Sequence, residues 1–371
     1  MVNIPQTMKC ARLHEVGKPL VLEEIATPRT GPRDVLVRVR ACGIVPNLAN
    51  VLAHWPTWFP EYPLPRLPAI FGLDPAGEIV ALGEEVLGFA VGDRVYVNPG
   101  RGCETCRHCL SGDRISCKYY ATNGYFGHSE ESRTILDRYP YAGFGEYMTA
   151  PVSALVKLSD KTSFEEAARF GYIGTAYAGL RKTPLGPNST LLINGAGGTL
   201  GLSAVVTALA MGVRKIFGSG RNWDLLAAVK AVSPGRIEVF STLEGSLANW
   251  IGAQTSGEGV DVVLDCLGPG SSEEIFLEGV QSLARGGAIV NIGAVQGAVP
   301  MIMHHLTGAN RTLMGSTWFR TAEAQDLAGM AGSGVLDLSV FEHRCYHLDA
   351  INAAIAGMTA GNGFVNYIIN P

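Results

Sequence analysis

The stretch T-L-L-I-N-G-A-G-G-T-L-G, Thr190 to Gly201, joins a short apolar run to a glycine-rich turn and then to an amphipathic run. This is the order of a strand, a phosphate-holding turn and a helix. Gly195, Gly198 and Gly201 lack the Cβ that keeps a backbone from folding tightly against a pyrophosphate, and Leu202 to Met211 follows as a helix whose N-terminus faces the anion. An ordinary strand-to-helix turn with packing glycines reads the same from these residues alone, so the flanks decide. Lys215 to Ser219 is a second apolar run. At its end, where a dinucleotide site carries an acid for a ribose 2′-hydroxyl, the chain reads Gly220-Arg221-Asn222. A missing carboxylate beside an arginine suits a 2′-phosphate, so the turn is expected to take NADP(H) rather than NAD(H). The competing reading makes Arg221 a solvated surface charge.

Outward from this turn, strands are expected at Thr190 to Asn194, Lys215 to Ser219, Ile237 to Phe240, Val260 to Cys266 and Gly287 to Ile292. They alternate with helices at Leu202 to Met211, Leu225 to Val232, Leu247 to Gln254 and Ser272 to Leu283. Such alternation implies right-handed crossovers and a doubly wound parallel sheet. D-V-V-L-D-C-L-G and A-I-V-N-I-G-A are apolar without a period of two, as strands buried on both faces are. The cofactor crevice is expected at the strand ends, against Thr199, Leu200, Ser219, Cys266, Leu267, Gly268, Ile292 and Gly293, with Thr175 from the preceding helix.

The first third has a different grammar. From Lys9 to Arg40, and again over Gly72 to Val80 and Asp93 to Val97, period-two runs are separated by turn residues, which is the pattern of half-buried antiparallel strands. Prolines and aromatics crowd Pro46 to Pro68, which reads as an irregular stretch able to line a pocket. Between Tyr119 and Pro140 no period stands out, and Phe164 to Leu180 reads as a helix weakened by Gly171, Gly174 and Gly179.

Of eight cysteines, four fall at Cys103, Cys106, Cys109 and Cys117, spaced C-x2-C-x2-C-x7-C, while Cys10, Cys42, Cys266 and Cys345 are scattered in apolar surroundings. Four thiolates on one short loop close a tetrahedral site without other help. One structural zinc per chain is the natural occupant, because a closed four-sulfur shell leaves no position for substrate. An iron–sulfur cluster is the rival, although its usual run has three residues and a trailing proline where this loop has seven residues and Lys118.

With 371 residues, 47% of them hydrophobic, the chain has material for two cores. A formal net charge of −4 with scattered lysines and arginines gives no footprint for nucleic acid. No apolar run approaches the ~18 residues of a membrane helix, and no leader-like segment opens the chain, so a cytoplasmic protein acting on a small-molecule substrate is expected.

The pieces G-P-R-D-V-L-V-R-V-R-A-C-G-I, G-L-D-P-A-G-E-I-V-A-L-G, V-G-D-R-V, the four-cysteine loop, G-F-G-E-Y and the glycine turn together resemble the medium-chain dehydrogenase/reductase superfamily, over nearly the whole chain. The resemblance implies an α/β protein: a GroES-like β-rich catalytic domain over 1–170, a Rossmann domain over 171–317, and a return to the catalytic domain over 318–371. It also implies a homodimer or homotetramer. The zinc alcohol dehydrogenases of that family bind a second, catalytic zinc, and here the chain departs. Where ligands are expected it has Val45, Leu73, Asp74 and Gly171, and where the proton relay is expected it has Asn47 and Asn50. Positions that often supply arginines for a pyrophosphate are Pro46 and Asn366. A lone Asp74 cannot hold a zinc that wants three protein ligands.

Without a Lewis acid, the oxygen that gains charge during hydride transfer must lean on hydrogen-bond donors. A conjugated acceptor asks less, since the charge spreads into an enolate. The expectation is an NADPH-dependent reductase of an activated C=C bond, with Asn47 as donor and Tyr62 or His54 as proton source. A zinc-independent alcohol dehydrogenase or carbonyl reductase is the alternative, and loss of the relay residues leaves open a protein that binds NADPH without turnover.

Overall fold

A computed structural model describes residues 3–295, 297–358 and 361–371. In the N-terminal lobe, β1 (Asp34–Gly43) is followed by α1 (Leu48–Trp58), β2 (Asp74–Leu82) and β3 (Arg94–Val97). β1 runs antiparallel to β2 from the pair Val35–Leu82 to the pair Gly43–Asp74, and β3 lies beyond β2. Leu155–Lys157 extends the sheet past β3, and Tyr147–Pro151 also pairs with β1. The alternation in D-V-L-V-R-V-R drives this packing. Val35, Val37 and Val39 are buried with Ile79, Val95, Val97 and Met148, while Arg38 points to water.

The second lobe begins at α2 (Phe170–Arg181) and winds through β4 (Thr190–Asn194), α3 (Thr199–Ala210), β5 (Lys215–Gly220), α4 (Trp223–Val232) and β6 (Ile237–Ser241). It continues through α5 (Leu247–Gln254), β7 (Val260–Asp265), α6 (Glu273–Gln281), β8 (Leu283–Asn291) and β9 (Thr312–Gly315). All six strands are parallel, in the spatial order β6-β5-β4-β7-β8-β9. Counted from β4 this is 3-2-1-4-5-6, so the winding reverses between β4 and β7 and opens a crevice at their carboxyl ends. After α7 (Thr321–Ser333), which packs on α2, the chain returns to the first sheet. There β10 (Glu342–His347) lies parallel to β11 (Val365–Asn370), and β11 pairs antiparallel with the end of β1.

Three local expectations are corrected. Pro46 to Pro68 is not irregular throughout, because α1 occupies its middle with Pro56 inside the helix. Pro56 has no N–H to give the Leu52 carbonyl, and the Gly17 amide takes that carbonyl instead at 2.9 Å, so a distant loop relieves the defect. The single helix expected over Phe164 to Leu180 is two, Phe164–Ala167 and α2, broken at Ala168 and Arg169. The strand expected at Gly287 starts at Leu283, whose pairing with Val260 is carried past an irregularity in register.

Candidate functional site

The glycine turn sits at the end of β4, on the crevice. Gly195 has φ +87°, and a Cβ on Gly201 would overlap the Gly195 carbonyl and lie 2.6 Å from the Ala196 Cα, so both positions need glycine. Gly195 and Ala196 N–H both donate to the Ser219 carbonyl, tying the turn to β5. α3 begins at Thr199, earlier than the sequence pattern indicates, so the amides of Thr199, Leu200 and Gly201 form its first turn, where no intrahelical acceptor exists. That turn, next to Gly198, offers free amides that can hold an anion.

The other expected cofactor positions ring the same edge: Ser219 and Gly220 end β5 and Arg221 and Asn222 follow it, Cys266, Leu267 and Gly268 follow β7, and Ile292 and Gly293 follow β8. Their side chains do not all face the crevice. The Ser219 hydroxyl is buried and donates to Asn194 Oδ1 at 2.6 Å, and the Thr175 hydroxyl donates to the Gly171 carbonyl at 2.7 Å. Asn222 is spent on capping α4, accepting from Leu225 N–H at 3.2 Å. Arg221 is exposed and forms no ion pair among the described residues. Beneath the edge, Asp265 accepts from Asn194 Nδ2 at 3.2 Å while its Oδ2 is buried with no hydrogen-bond partner at ordinary geometry among the described residues, and burial pushes its carboxyl up to about 7 against the pull of Asn194 and the Leu267 amide.

Away from the crevice, the sulfurs of Cys103, Cys106, Cys109 and Cys117 lie within 4.8 Å of one another, and Cys103 and Cys109 sulfurs are 4.0 Å apart. A tetrahedron with Zn–S bonds of 2.3 Å has edges of about 3.8 Å, so the cluster is of the size zinc needs. Backbone amides point at the sulfurs: Cys106 N–H at Cys103, Cys109 N–H at Cys106, and the Cys103 and Tyr119 amides at Cys117, all 3.4 to 3.5 Å away. Such donors favour thiolates, and four thiolates fit a structural zinc.

Between the lobes lie the residues expected near the hydride. Asn47 precedes α1 and accepts from Asn50 Nδ2 at 2.9 Å. Val45, Leu73 and Asp74 are buried, and Asp74 Oδ1 accepts from the Tyr96 hydroxyl at 2.7 Å. Burial pushes Asp74 up to about 7, against the pull of Tyr96, of Arg169 and of the Gly171 amide. A Cβ on Gly171 would overlap both Asp74 oxygens and stand 2.6 Å from its Cγ. Carboxylate and glycine thus close one another's space.

The structure does not bring His54 into this group. It is exposed on α1, stacked on Trp58 with ring centroids 5.0 Å apart, while Leu48, Val51, Leu52 and Trp55 form the buried face. Tyr62 is half-buried in an aromatic stack with Trp55, Phe59 and Phe126. Sequence reasoning missed Tyr125, a buried phenol beside the Asn47 amide, and Arg169, a buried guanidinium near Asp74. Neither carries a local signal, since each is placed by chain distant in sequence.

The family model for an alcohol dehydrogenase GroES-like domain matches residues 31–160, and that for a zinc-binding dehydrogenase matches 199–332. The chain is 30% identical over 331 residues to an alcohol dehydrogenase of Geobacillus stearothermophilus, spanning 88% of this chain and 90% of that one. It is 29% identical over 279 residues to the acryloyl-coenzyme A reductase of Metallosphaera sedula, spanning 74% and 73%. The fold superposes on a putative zinc-binding dehydrogenase from Sinorhizobium meliloti 1021 bound to NADP, with a TM-score of 0.83 at 22% identity, covering 99% of this chain and all of that one. With the four-cysteine loop and the parallel-sheet crevice in place, the chain belongs to the medium-chain dehydrogenase/reductase superfamily of NAD(P)-dependent oxidoreductases.

Proposed function

We propose that the protein is an NADPH-dependent oxidoreductase that works without a catalytic zinc and reduces an activated C=C bond of an α,β-unsaturated carbonyl or quinone. The observation that carries this reading is the pairing of Gly171 with Asp74. The carboxylate is held by Tyr96 in the space a side chain at 171 would need, and its neighbours Val45 and Leu73 offer no ligand atom.

When bound, NADPH supplies the hydride. The first-turn amides of α3 hold its pyrophosphate, and Arg221, free of any ion pair among the described residues, meets the 2′-phosphate. The Asn47 amide, oriented by Asn50, donates to the substrate oxygen as charge builds there. Proton delivery falls to a phenol at the Asn47 end of the cleft: Tyr125 stands beside Asn47, and Tyr62 is the candidate from the sequence. His54, on the exposed face of α1, is the weakest of the three. The likeness to an acryloyl-coenzyme A reductase supports C=C reduction, and the likeness to alcohol dehydrogenases supports the second reading, carbonyl reduction without zinc.

A panel of enones, quinones and aldehydes with NADPH, followed by product analysis, separates these. Saturated ketone with the carbonyl intact supports the first reading, and alcohol with the alkene intact supports the second. No cofactor oxidation above background leaves a binding protein. A homodimer or homotetramer is part of the proposal, supported by the outer edge of the parallel sheet. There β9 pairs only with β8 among the described residues and Leu313 is exposed, as are nearby Ile302 and Met303. Light scattering that reads a monomer removes it.

A further inference from the structure

Arg169 stands where the two helices expected as one are broken, and the break turns it inward, where it is 3% exposed. Its Nη2 donates to the Gly363 carbonyl at 2.8 Å and to the Thr199 carbonyl at 3.3 Å. Its guanidinium lies over the rings of Tyr172 and Phe341, 5.4 and 4.8 Å from their centroids, and its Nε is buried with no partner among the described residues. Among the described residues no carboxylate pairs with it: Asp74 is close enough to act electrostatically but forms no ion pair with it. A buried, always-charged guanidinium without a counter-anion is costly, so its retention asks what anion arrives.

Its two carbonyl partners show where that anion arrives. Thr199 opens α3, so Arg169 is fixed at the helix start that carries the free amides. Gly363 belongs to the segment that returns before β11, and it is pressed onto the same turn. Its N–H donates to the Gly197 carbonyl at 2.9 Å, and a Cβ there would overlap the Gly198 carbonyl, 2.8 Å from its carbon. The expected arginine positions are spent otherwise. Pro46 has no charge, and Asn366 is buried with its amide donating to the Glu165 carbonyl at 3.1 Å.

We propose that Arg169 is the cation that meets the dinucleotide's pyrophosphate, supplied from the helix break rather than from the loop at Pro46 or the strand at Asn366. This rests on the reading of the glycine turn as a dinucleotide site. Arg169 holds the return segment and the start of α3 together by its carbonyl contacts, and its charge adds to that of the first-turn amides.

Calorimetric titration with NADPH and with 2′-AMP, which has the 2′-phosphate but no pyrophosphate, tests this on the full chain. In Arg169→Gln, which keeps an N–H donor and loses the charge, NADPH is expected to bind about tenfold to a hundredfold more weakly and 2′-AMP unchanged. Arg169→Lys, which restores the charge but not the fork, is expected to recover part of the loss and to stay at least about threefold weaker than wild type. NADPH affinity within about twofold of wild type in Arg169→Gln, or an equal loss for both ligands, overturns the proposal. Should the glutamine variant not fold by circular dichroism, Arg169→Lys decides. Loss of the fork should weaken NADPH at least about threefold and spare 2′-AMP, and no difference overturns the proposal. Wild type that binds no dinucleotide sinks the reading of the turn itself, and the proposal with it.

Discussion

Alanine at Gly171 puts a methyl group where the Asp74 carboxylate already stands. The new carbon would lie 2.6 Å from Asp74 Cγ, against an ordinary carbon–carbon contact of about 3.5 to 4.0 Å, so the carboxylate must retreat by about 1 Å. It has nowhere to go, being 1% exposed and tied to the Tyr96 hydroxyl at 2.7 Å. Breaking that charge-assisted bond costs about 1.5 to 3 kcal/mol, and overpacking a further 1 to 3. The helix preference for alanine over glycine returns at most about 1 kcal/mol. Gly171→Ala should therefore cost about 1.5 to 5 kcal/mol, measured as the shift of the urea midpoint at pH 8, where Asp74 is ionised. A double-mutant cycle isolates the cause. In an Asp74→Ala background the same change should be neutral or stabilising, a coupling of at least about 1.5 kcal/mol. An equal cost with and without Asp74 refutes the idea that carboxylate and glycine fill one another's space, and reopens that position to a metal ligand.

Other expectations follow from the same geometry. Arg221→Ala should reduce a NADPH over NADH preference of about tenfold to a hundredfold to near parity, read from dissociation constants of both cofactors. A ratio left unchanged makes Arg221 a solvated surface charge. Cys106→Ser should lower zinc content and thermal stability more than kcat, because the four sulfurs brace a loop away from the crevice. Normal zinc content in that variant contradicts the assignment. Asp265 holds its proton more tightly when folded, at about 7 against 3.8 for the free group, so its contribution to stability is full below pH 3.8 and lost as pH rises through 7. That loss is at most about 4 kcal/mol, and Asp265→Asn should flatten the fall in urea midpoint between pH 5 and 8. A slope as steep as wild type's places the titrating group elsewhere.

The Rossmann half was legible because its signals are local: apolar strands without alternation, and glycines whose need for room is set by neighbours within the turn, as the Gly201 and Gly195 contact shows. The four-cysteine loop was legible for the same reason, all its sulfurs coming from one short segment. Elsewhere the decisive partners are remote. Helix α1 survives Pro56 because the Gly17 amide takes the stranded carbonyl, which no window around Pro56 reveals. Asp74 could be read as a lone acid, but not as one buried against Tyr96 and Gly171. His54 was a candidate by residue type alone, and the helix that carries it turns it to solvent. Arg169 looked like the middle of a helix and stands at a break.

The most direct test of hydride transfer without a catalytic metal is the zinc content of protein that is oxidising NADPH with an enone. Elemental analysis of that protein should give one zinc per chain, lost together with the four-cysteine site and not required at the cleft. Two zincs per chain, with activity that falls as the second is removed and returns when it is restored, would contradict the account.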